Sequence, residues 1–328
     1  MDLNLNLDGF DIENNGNTKN LDENKIYELL IIGGGPSAMT AAVYAMRKGI
    51  DTGIITYKFG GQILETEAIE NYMGFMYIKG EDLVNKFKNQ IDQFPIGYKS
   101  GFEVTKTKLK KDIKEIYVSD GTKYKAKTVI IAAGSKWRKL NIPGESEFSG
   151  KGIAYCTTCD APFYKNKKVA VIGGGNAGIE AAIDLASIAK EVTLIEYLPK
   201  LNGDKILIDK LNNFSNVKIM TNHQILEAIG NKKLEKAKFK NRETNKIFDI
   251  ELDGIFVEIG LIPNSQIFKD EIKLNSKNEI SIDCSCKTSL PGVFASGDIT
   301  SVPYNQVIIA AGEGAKAALS VYSYLINK

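Results

Sequence analysis

The segment Cys156-Thr157-Thr158-Cys159-Asp160 concentrates the most chemistry into the fewest residues of this 328-residue chain. Two cysteines spaced i, i+3 fall on one face of a helix start, where the helix dipole lowers a thiol pKa. Such a pair closes a small disulfide and reopens it by exchange. A carboxylate, Asp160, follows directly. A zinc site would need a second such pair or several histidines. The remaining cysteines, Cys284-Ser285-Cys286, have the wrong spacing, and His223 is the sole histidine; no metal is expected. Cys284 and Cys286 lie in an alternating strand pattern and read as ordinary packed or surface thiols. His223, in a polar stretch, reads as a surface residue. A single histidine leaves no room for a Ser-His-Asp or Cys-His hydrolase, and it disfavours the larger disulfide reductases that use a histidine acid near the C-terminus.

The dithiol lies between two copies of a gap-free internal repeat. Residues 28–57 overlay residues 168–197 with every position shifted by 140. Leu29-Leu30-Ile31-Ile32 matches Val169-Ala170-Val171-Ile172, two buried-strand runs. Gly33-Gly34-Gly35 matches Gly173-Gly174-Gly175; helical stretches with Ala41-Ala42 and Ala181-Ala182 follow, and then further apolar strands. Each copy is a βαβ unit whose glycine turn offers backbone N–H groups and a helix start to a pyrophosphate. The first turn carries Gly33, Gly35 and Ala38, and the second Gly173, Gly175 and Gly178. The sequence therefore predicts an α/β protein with two Rossmann-like dinucleotide-binding domains. A dithiol beside two nucleotide sites implies electron flow from a nicotinamide, through a flavin, to a disulfide.

The copies differ where a carboxylate normally holds the ribose hydroxyls. The first has Thr56 and the second Glu196. A ribose phosphate beside Glu196 would meet a like charge, costing about 4 kcal/mol per pair at 4 Å and an effective dielectric near 20. A free hydroxyl would gain a charge-assisted hydrogen bond of about 1.5–3 kcal/mol. Tyr197-Leu198-Pro199 supply no guanidinium, and Lys200 is expected to be the only nearby cation. The expectation is NADH, with NADPH the poorer donor.

Bulk properties agree with a globular enzyme. Hydrophobic residues make up 43% and charged residues 25%, enough for a sizeable core. A formal charge of +2, spread along the chain, gives no electrostatic case for nucleic acid or membrane partners. No apolar run approaches the roughly 20 residues of a membrane span, and the N-terminus lacks the basic-then-apolar order of a signal peptide. Four cysteines are too few for a secreted disulfide framework, which points to the cytoplasm. Residues 1–25 read as an N-terminal tail whose only hint of order is the alternation of Leu3, Leu5 and Leu7.

Beyond these features, the chain resembles the low-molecular-weight thioredoxin reductase family, and within it the flavoprotein subunits of bacterial alkyl hydroperoxide reductases. Gly60-Gly61-Gln62-Ile63-Leu64, Glu70-Asn71-Tyr72, Gly134-Ser135-Lys136-Trp137-Arg138, Val169 to Glu196, Ile255 to Asn264 and Gly292 to Gly314 carry the likeness. The resemblance implies an FAD domain over residues 26–138 and 267–328, interrupted by an NAD-binding domain over 139–266 that bears the dithiol. FAD would lie on Gly33, Gly35 and Ala38, with Gly61, Gln62 and Asn71 around the ring and ribityl chain. Ala133-Gly134 would flank it, Gly297-Asp298 would hold the ribityl or pyrophosphate, and Gln306-Val307 would open a helix facing the ring.

By the same resemblance, Cys159 takes electrons from the flavin, Cys156 attacks the partner disulfide and Asp160 handles the proton. Trp137 reads as a packing anchor near the domain interface. Those flavoprotein subunits carry an extra N-terminal domain with its own dithiol, and only the short tail stands before the first strand here. The acceptor is then a separate protein: thioredoxin, a glutaredoxin-like protein or a detached equivalent of that domain, feeding a peroxiredoxin. A homodimer is implied as well. Because nicotinamide and disulfide must both reach one flavin, the inserted domain is expected to rotate about segments near Arg138 and Leu261. Two other readings stay open: a ferredoxin-fed flavin thioredoxin reductase, and an electron-transfer flavoprotein or NADH oxidase in which the dithiol is secondary.

Overall fold

The computed structural model describes residues 19–66 and 69–328. Strands β1 (Lys19–Asn20), β2 (Ile26–Ile32), β3 (Thr52–Thr56), β4 (Gly97–Ser100), β5 (Val104–Lys108), β6 (Lys114–Val118) and β7 (Lys123–Ile131) build one sheet, with helices α1 (Pro36–Arg47) and α2 (Gly80–Ile91) between them. A short strand, β8 (Ser135–Trp137), leads out. The next segment holds β9 (Ile153–Ala154), α3 (Thr157–Asp160), β10 (Lys168–Ile172), α4 (Asn176–Ala186), β11 (Glu191–Ile195), α5 (Lys205–Leu211) and β12 (Val217–Met220). An antiparallel ribbon follows, made of β13 (His223–Gly230), β14 (Leu234–Asn241) and β15 (Ile247–Glu251). Then come β16 (Gly254–Val257), β17 (Leu261–Pro263), β18 (Val293–Ala295) and the closing helix α6 (Val307–Ile326).

The first sheet runs β1-β4-β3-β2-β7-β6-β5, with β18 also on β7; the second runs β12-β11-β10-β16-β9. In each, the first strand of the repeat is central and its neighbours on both sides are parallel to it. Pairing follows the repeat: Leu29 faces Thr52 as Val169 faces Val192. These central strands read as unbroken apolar runs because both faces are covered. Leu29, Leu30, Ile31, Val169, Ala170 and Val171 are fully buried, and each large side chain among them contributes about 1.5–3 kcal/mol by leaving water.

Two segments join the sheets, and they pair with each other. β8 and β17 are antiparallel, with Trp137 opposite Leu261, and the Arg138 N–H donates to the Gly260 carbonyl. Of the expected tail, residues 1–18, including Leu3, Leu5 and Leu7, lie outside the described residues. Lys19–Asn20 adds an edge strand to β4, and Leu21 is buried against Gly53 and Gly97. Three local expectations change. The dithiol does not open a regular helix: α3 is one turn, continued by a 3-10 turn over Ala161–Tyr164, so little dipole accumulates there. Cys284 and Cys286 sit in a turn, with Cys284 exposed and Cys286 buried at φ +61°. His223 is half-buried at the start of β13, its Nδ1 2.6 Å from the Thr221 carbonyl and its ring edge-on to Phe248.

Candidate active site

Both glycine turns end in a helix start without a side-chain cap. Gly35 precedes α1 and Gly175 precedes α4; both are extended, and neither helix N-terminus has a side-chain hydrogen bond. The first-turn N–H groups are thereby left for an anion. The glycines are required by contact as well as conformation. A Cβ on Gly33 (φ +127°) would stand 2.1 Å from the Ala132 carbonyl oxygen, and one on Gly173 (φ +126°) 2.4 Å from that of Glu258.

A cavity of about 680 Å³ opens over the C-terminal ends of β2, β7 and β18, the crevice where doubly wound sheets bind ligands. Gly33, Gly35, Gly61, Gln62, Ala133, Gly134, Gly297, Asp298, Gln306 and Val307 all line it. Two of the expected residues do not. Ala38 is fully buried inside the packing of α1, and Asn71 stands exposed outside the cavity, donating through Nδ2 to Gln306 Oε1 at 3.1 Å. The donor set suits a dinucleotide: an uncapped helix start for the pyrophosphate, open space at Gly35 and Gly134, and the carboxylates of Asp298 and the exposed Glu103. Burial raises the Asp298 pKa, opposed by a hydrogen bond with Asn305.

A second cavity of about 220 Å³ holds the dithiol. Cys156, Cys159, Asp160, Phe163 and Tyr164 line it, and Gln62, Thr66 and Trp137 form walls of both cavities. Cys156 and Cys159 are joined as a disulfide with Cα atoms 5.3 Å apart. The one-turn α3 achieves this closeness: Cys159 and Asp160 N–H groups donate to the Cys156 carbonyl at 3.2 and 3.0 Å. Burial pushes the Asp160 pKa up to about 6 and the Tyr164 phenol up to about 12. Trp137 is stacked on Tyr155 with centroids 6.1 Å apart; no pattern in the sequence places it between two cavities.

At the second glycine turn, Glu196 is buried. Its carboxylate accepts from the Gly174 N–H and, at 2.7 Å, from the Leu198 N–H. Gly178 allows α4 to approach β10, since a Cβ there would lie 1.9 Å from the Gly173 oxygen. The expectation that Lys200 is the only cation nearby is corrected. Arg242, in the turn between β14 and β15, lies 3.5 Å over the Tyr197 ring and donates to the Tyr197 carbonyl at 2.7 Å. Nothing in the local sequence pairs positions 45 apart. Glu258, at the end of β16, also escapes the sequence reading: it accepts from Thr157 Oγ1 at 2.6 Å. A carboxylate directly after the buried run Ile255-Phe256-Val257 is the same signal that marks Glu196 after β11, and would have found it.

Residues 27–314 match the family model described as pyridine nucleotide-disulphide oxidoreductase. The chain is 44% identical over 304 residues to the F subunit of Pseudomonas putida alkyl hydroperoxide reductase, covering 92% of this chain and 58% of that protein. A Ferdinandcohnia aciditolerans protein named NADH dehydrogenase is 42% identical over 301 residues, with 92% and 58% covered. The chain thus spans less than two thirds of the length of these curated relatives. The solved thioredoxin reductase of Streptococcus pyogenes superposes with a TM-score of 0.88 at 35% identity, covering 92% of this chain and 99% of that one. With two uncapped glycine turns, a cysteine pair in a cavity that shares walls with the larger one and this likeness over nearly its whole described length, the chain belongs to the pyridine nucleotide-disulphide oxidoreductase family and has its thioredoxin reductase-like arrangement of a flavin and a nicotinamide Rossmann domain.

Proposed function

We propose that this chain takes two electrons from NADH, passes them through FAD to the Cys156–Cys159 disulfide, and delivers them to the disulfide of a separate thioredoxin- or glutaredoxin-like protein that feeds a peroxiredoxin. The supporting observation is the shared wall of Gln62, Thr66 and Trp137 between the dithiol cavity and the large glycine-turn cavity. Bound FAD supplies a hydride acceptor for the nicotinamide and a two-electron donor for the sulfur pair. Overall, NADH and a proton become NAD+, and one disulfide becomes two thiols.

The chain's own residues carry the rest. The Cys156 thiolate attacks one sulfur of the partner disulfide, and the displaced sulfur leaves with a proton. Cys159 then attacks Cys156, re-forming the internal disulfide and releasing the reduced partner. Asp160 holds the proton, because its buried carboxyl stays protonated to about pH 6. Gly173, Gly175 and Gly178 seat the nicotinamide dinucleotide, and Glu196 accepts from its ribose hydroxyls, which favours NADH. Residues 139–266 rotate as a unit about β8 and β17 relative to residues 26–138 and 267–328, presenting nicotinamide and dithiol to the flavin in turn. The protein acts as a homodimer in the cytoplasm.

Anaerobic titration with NADH checks the route. The yellow protein should bleach and then recolour when a thioredoxin-like disulfide is added. A colourless protein that FAD does not reconstitute ends the reading. A covalent lock between the sheets that leaves turnover unchanged ends the rotation. A second reading, NADH oxidation with the dithiol secondary, gains support from the relative named NADH dehydrogenase. Cys156→Ser with Cys159→Ser separates the two: disulfide reduction should vanish while NADH still bleaches the flavin, whereas the second reading keeps all activity.

A further inference from the structure

The two repeats place different residues at one equivalent position. Where the Gly33 turn lies against the Ala132 carbonyl at the end of β7, the Gly173 turn lies against the Glu258 carbonyl at the end of β16. Ala132 has no side chain to extend further. Glu258 does, and it crosses to the dithiol: Oε1 accepts from Thr157 Oγ1 at 2.6 Å, and the Thr157 amide also donates to the carboxylate. Thr157 is the residue after Cys156 and is itself buried. One residue therefore touches the nicotinamide turn through its backbone and the Cys-x-x-Cys turn through its side chain.

Resting on the functional reading above, we propose that Glu258 is a positioning residue of the dithiol, which anchors the Cys156–Cys159 turn through Thr157 and, as a fixed negative charge, opposes thiolate formation there. A half-buried carboxylate disfavours a second anion nearby, since little water screens the pair. The one-turn α3 offers little dipole to compensate. Burial raises the Glu258 pKa as well, and the two Thr157 hydrogen bonds oppose that rise. Two other groups face the same cavity: Asp160, on α3, adds a second negative charge above about pH 6, common to every variant compared below, and the Tyr164 phenol stays neutral to about 12. The Tyr155 hydroxyl donates to Glu145 at 2.7 Å, with the Lys139 ammonium 4.1 Å over the Tyr155 ring. Glu180, on the adjoining helix α4, is exposed to solvent.

The test uses the flavin-loaded protein reduced with dithiothreitol and desalted without oxygen, so that neither NADH nor a partner enters. Iodoacetamide capture of Cys156 is followed against pH by peptide mapping. Glu258→Gln keeps an acceptor oxygen for Thr157 and removes the charge; its capture midpoint should fall by about one pH unit. Thr157→Val removes the anchor and keeps the charge, and should leave the midpoint unlowered. In redox buffers the Glu258→Gln disulfide should be more readily reduced than wild type at pH 7, because the thiolate form is favoured. A Glu258→Gln midpoint that stays or rises overturns the proposal, as does a fall of equal size in Thr157→Val, which would make the role anchoring alone. If NADH cannot reduce the dithiol, the functional reading fails and the midpoints still answer this question.

Discussion

The two βαβ units share a backbone and differ in most side chains; four differences in and around them bear on the tasks proposed for the two sites. Both have a left-handed first glycine, an extended helix-start glycine and the same strand register. The first unit then places Ala38, Thr56 and Ala132 where the second places Gly178, Glu196 and Glu258. Thr56 spends its hydroxyl on the Lys58 carbonyl at 3.0 Å, while Glu196 keeps a carboxylate at the turn. The fourth difference is a guanidinium: Arg242 stacks beside the second site. On the proposed reading, one backbone serves two dinucleotides, and the side chains at the strand ends distinguish them.

Substituting the glycines tests the shared part. Gly33→Ala forces a Cβ onto Ala132 at a φ that L residues rarely adopt, so the protein should lose its flavin absorbance. Gly178→Ala pushes α4 off β10 and should retain flavin while losing most of its reduction by NADH. Absorbance spectra and stopped-flow bleaching read both, and equal flavin loss in the two variants would break the assignment of one dinucleotide to each turn.

A smaller effect sharpens the contrast at the strand ends. Glu196→Ala should lower kcat/KM for NADH by about 10–100-fold, the loss of one charge-assisted hydrogen bond. NADPH should lose less, because Arg242 remains nearby. Arg242→Ala should shift the ratio back toward NADH. Steady-state kinetics with both nucleotides decide, and a wild type that prefers NADPH would remove Glu196 as the discriminator.

Asp160 gives a pH signature. Its folded-state pKa, about 6, lies above the ordinary aspartate value of 3.8, so its contribution to stability is present below about pH 3.8 and is lost as the pH rises through 6. Asp160→Asn should therefore raise the melting temperature at pH 8 by a few degrees and change it little at pH 3.5. If Asp160 supplies the proton, disulfide reduction by the variant should be slow and lose its dependence on pH around 6. The smallest effect belongs to Ala38→Gly, expected to cost about 1 kcal/mol in a denaturant melt without loss of flavin. The third glycine of the repeat would then be exchangeable in one direction only.

Much of this is legible in the residues. The apolar runs at Leu29–Ile32 and Val169–Ile172, the shift of 140 and the glycine triplets define both units, because strand burial and glycine conformation are local properties. The dithiol is equally plain, but its setting is not. The spacing predicts a helix start at Cys156, and α3 does begin there, but it ends after a single turn. Ala38 and Asn71, placed by resemblance at the cofactor, lie off the cavity. The Cys284 region alternates like a strand, yet Asp283 organises it as a turn through the N–H groups of Ser285 and Lys287.

What the sequence determined by itself is the pair of nucleotide-binding turns and a sulfur pair between them, since those depend on residues within a few positions of one another. What the tertiary structure decided is which distant side chains meet: Gln62, Thr66 and Trp137 between two cavities, Arg242 on Tyr197, and Glu258 on Thr157 across 101 positions. Such meetings come from how strand ends and loops converge at the C-terminal edge of each sheet. No local pattern of hydrophobicity or glycine encodes them.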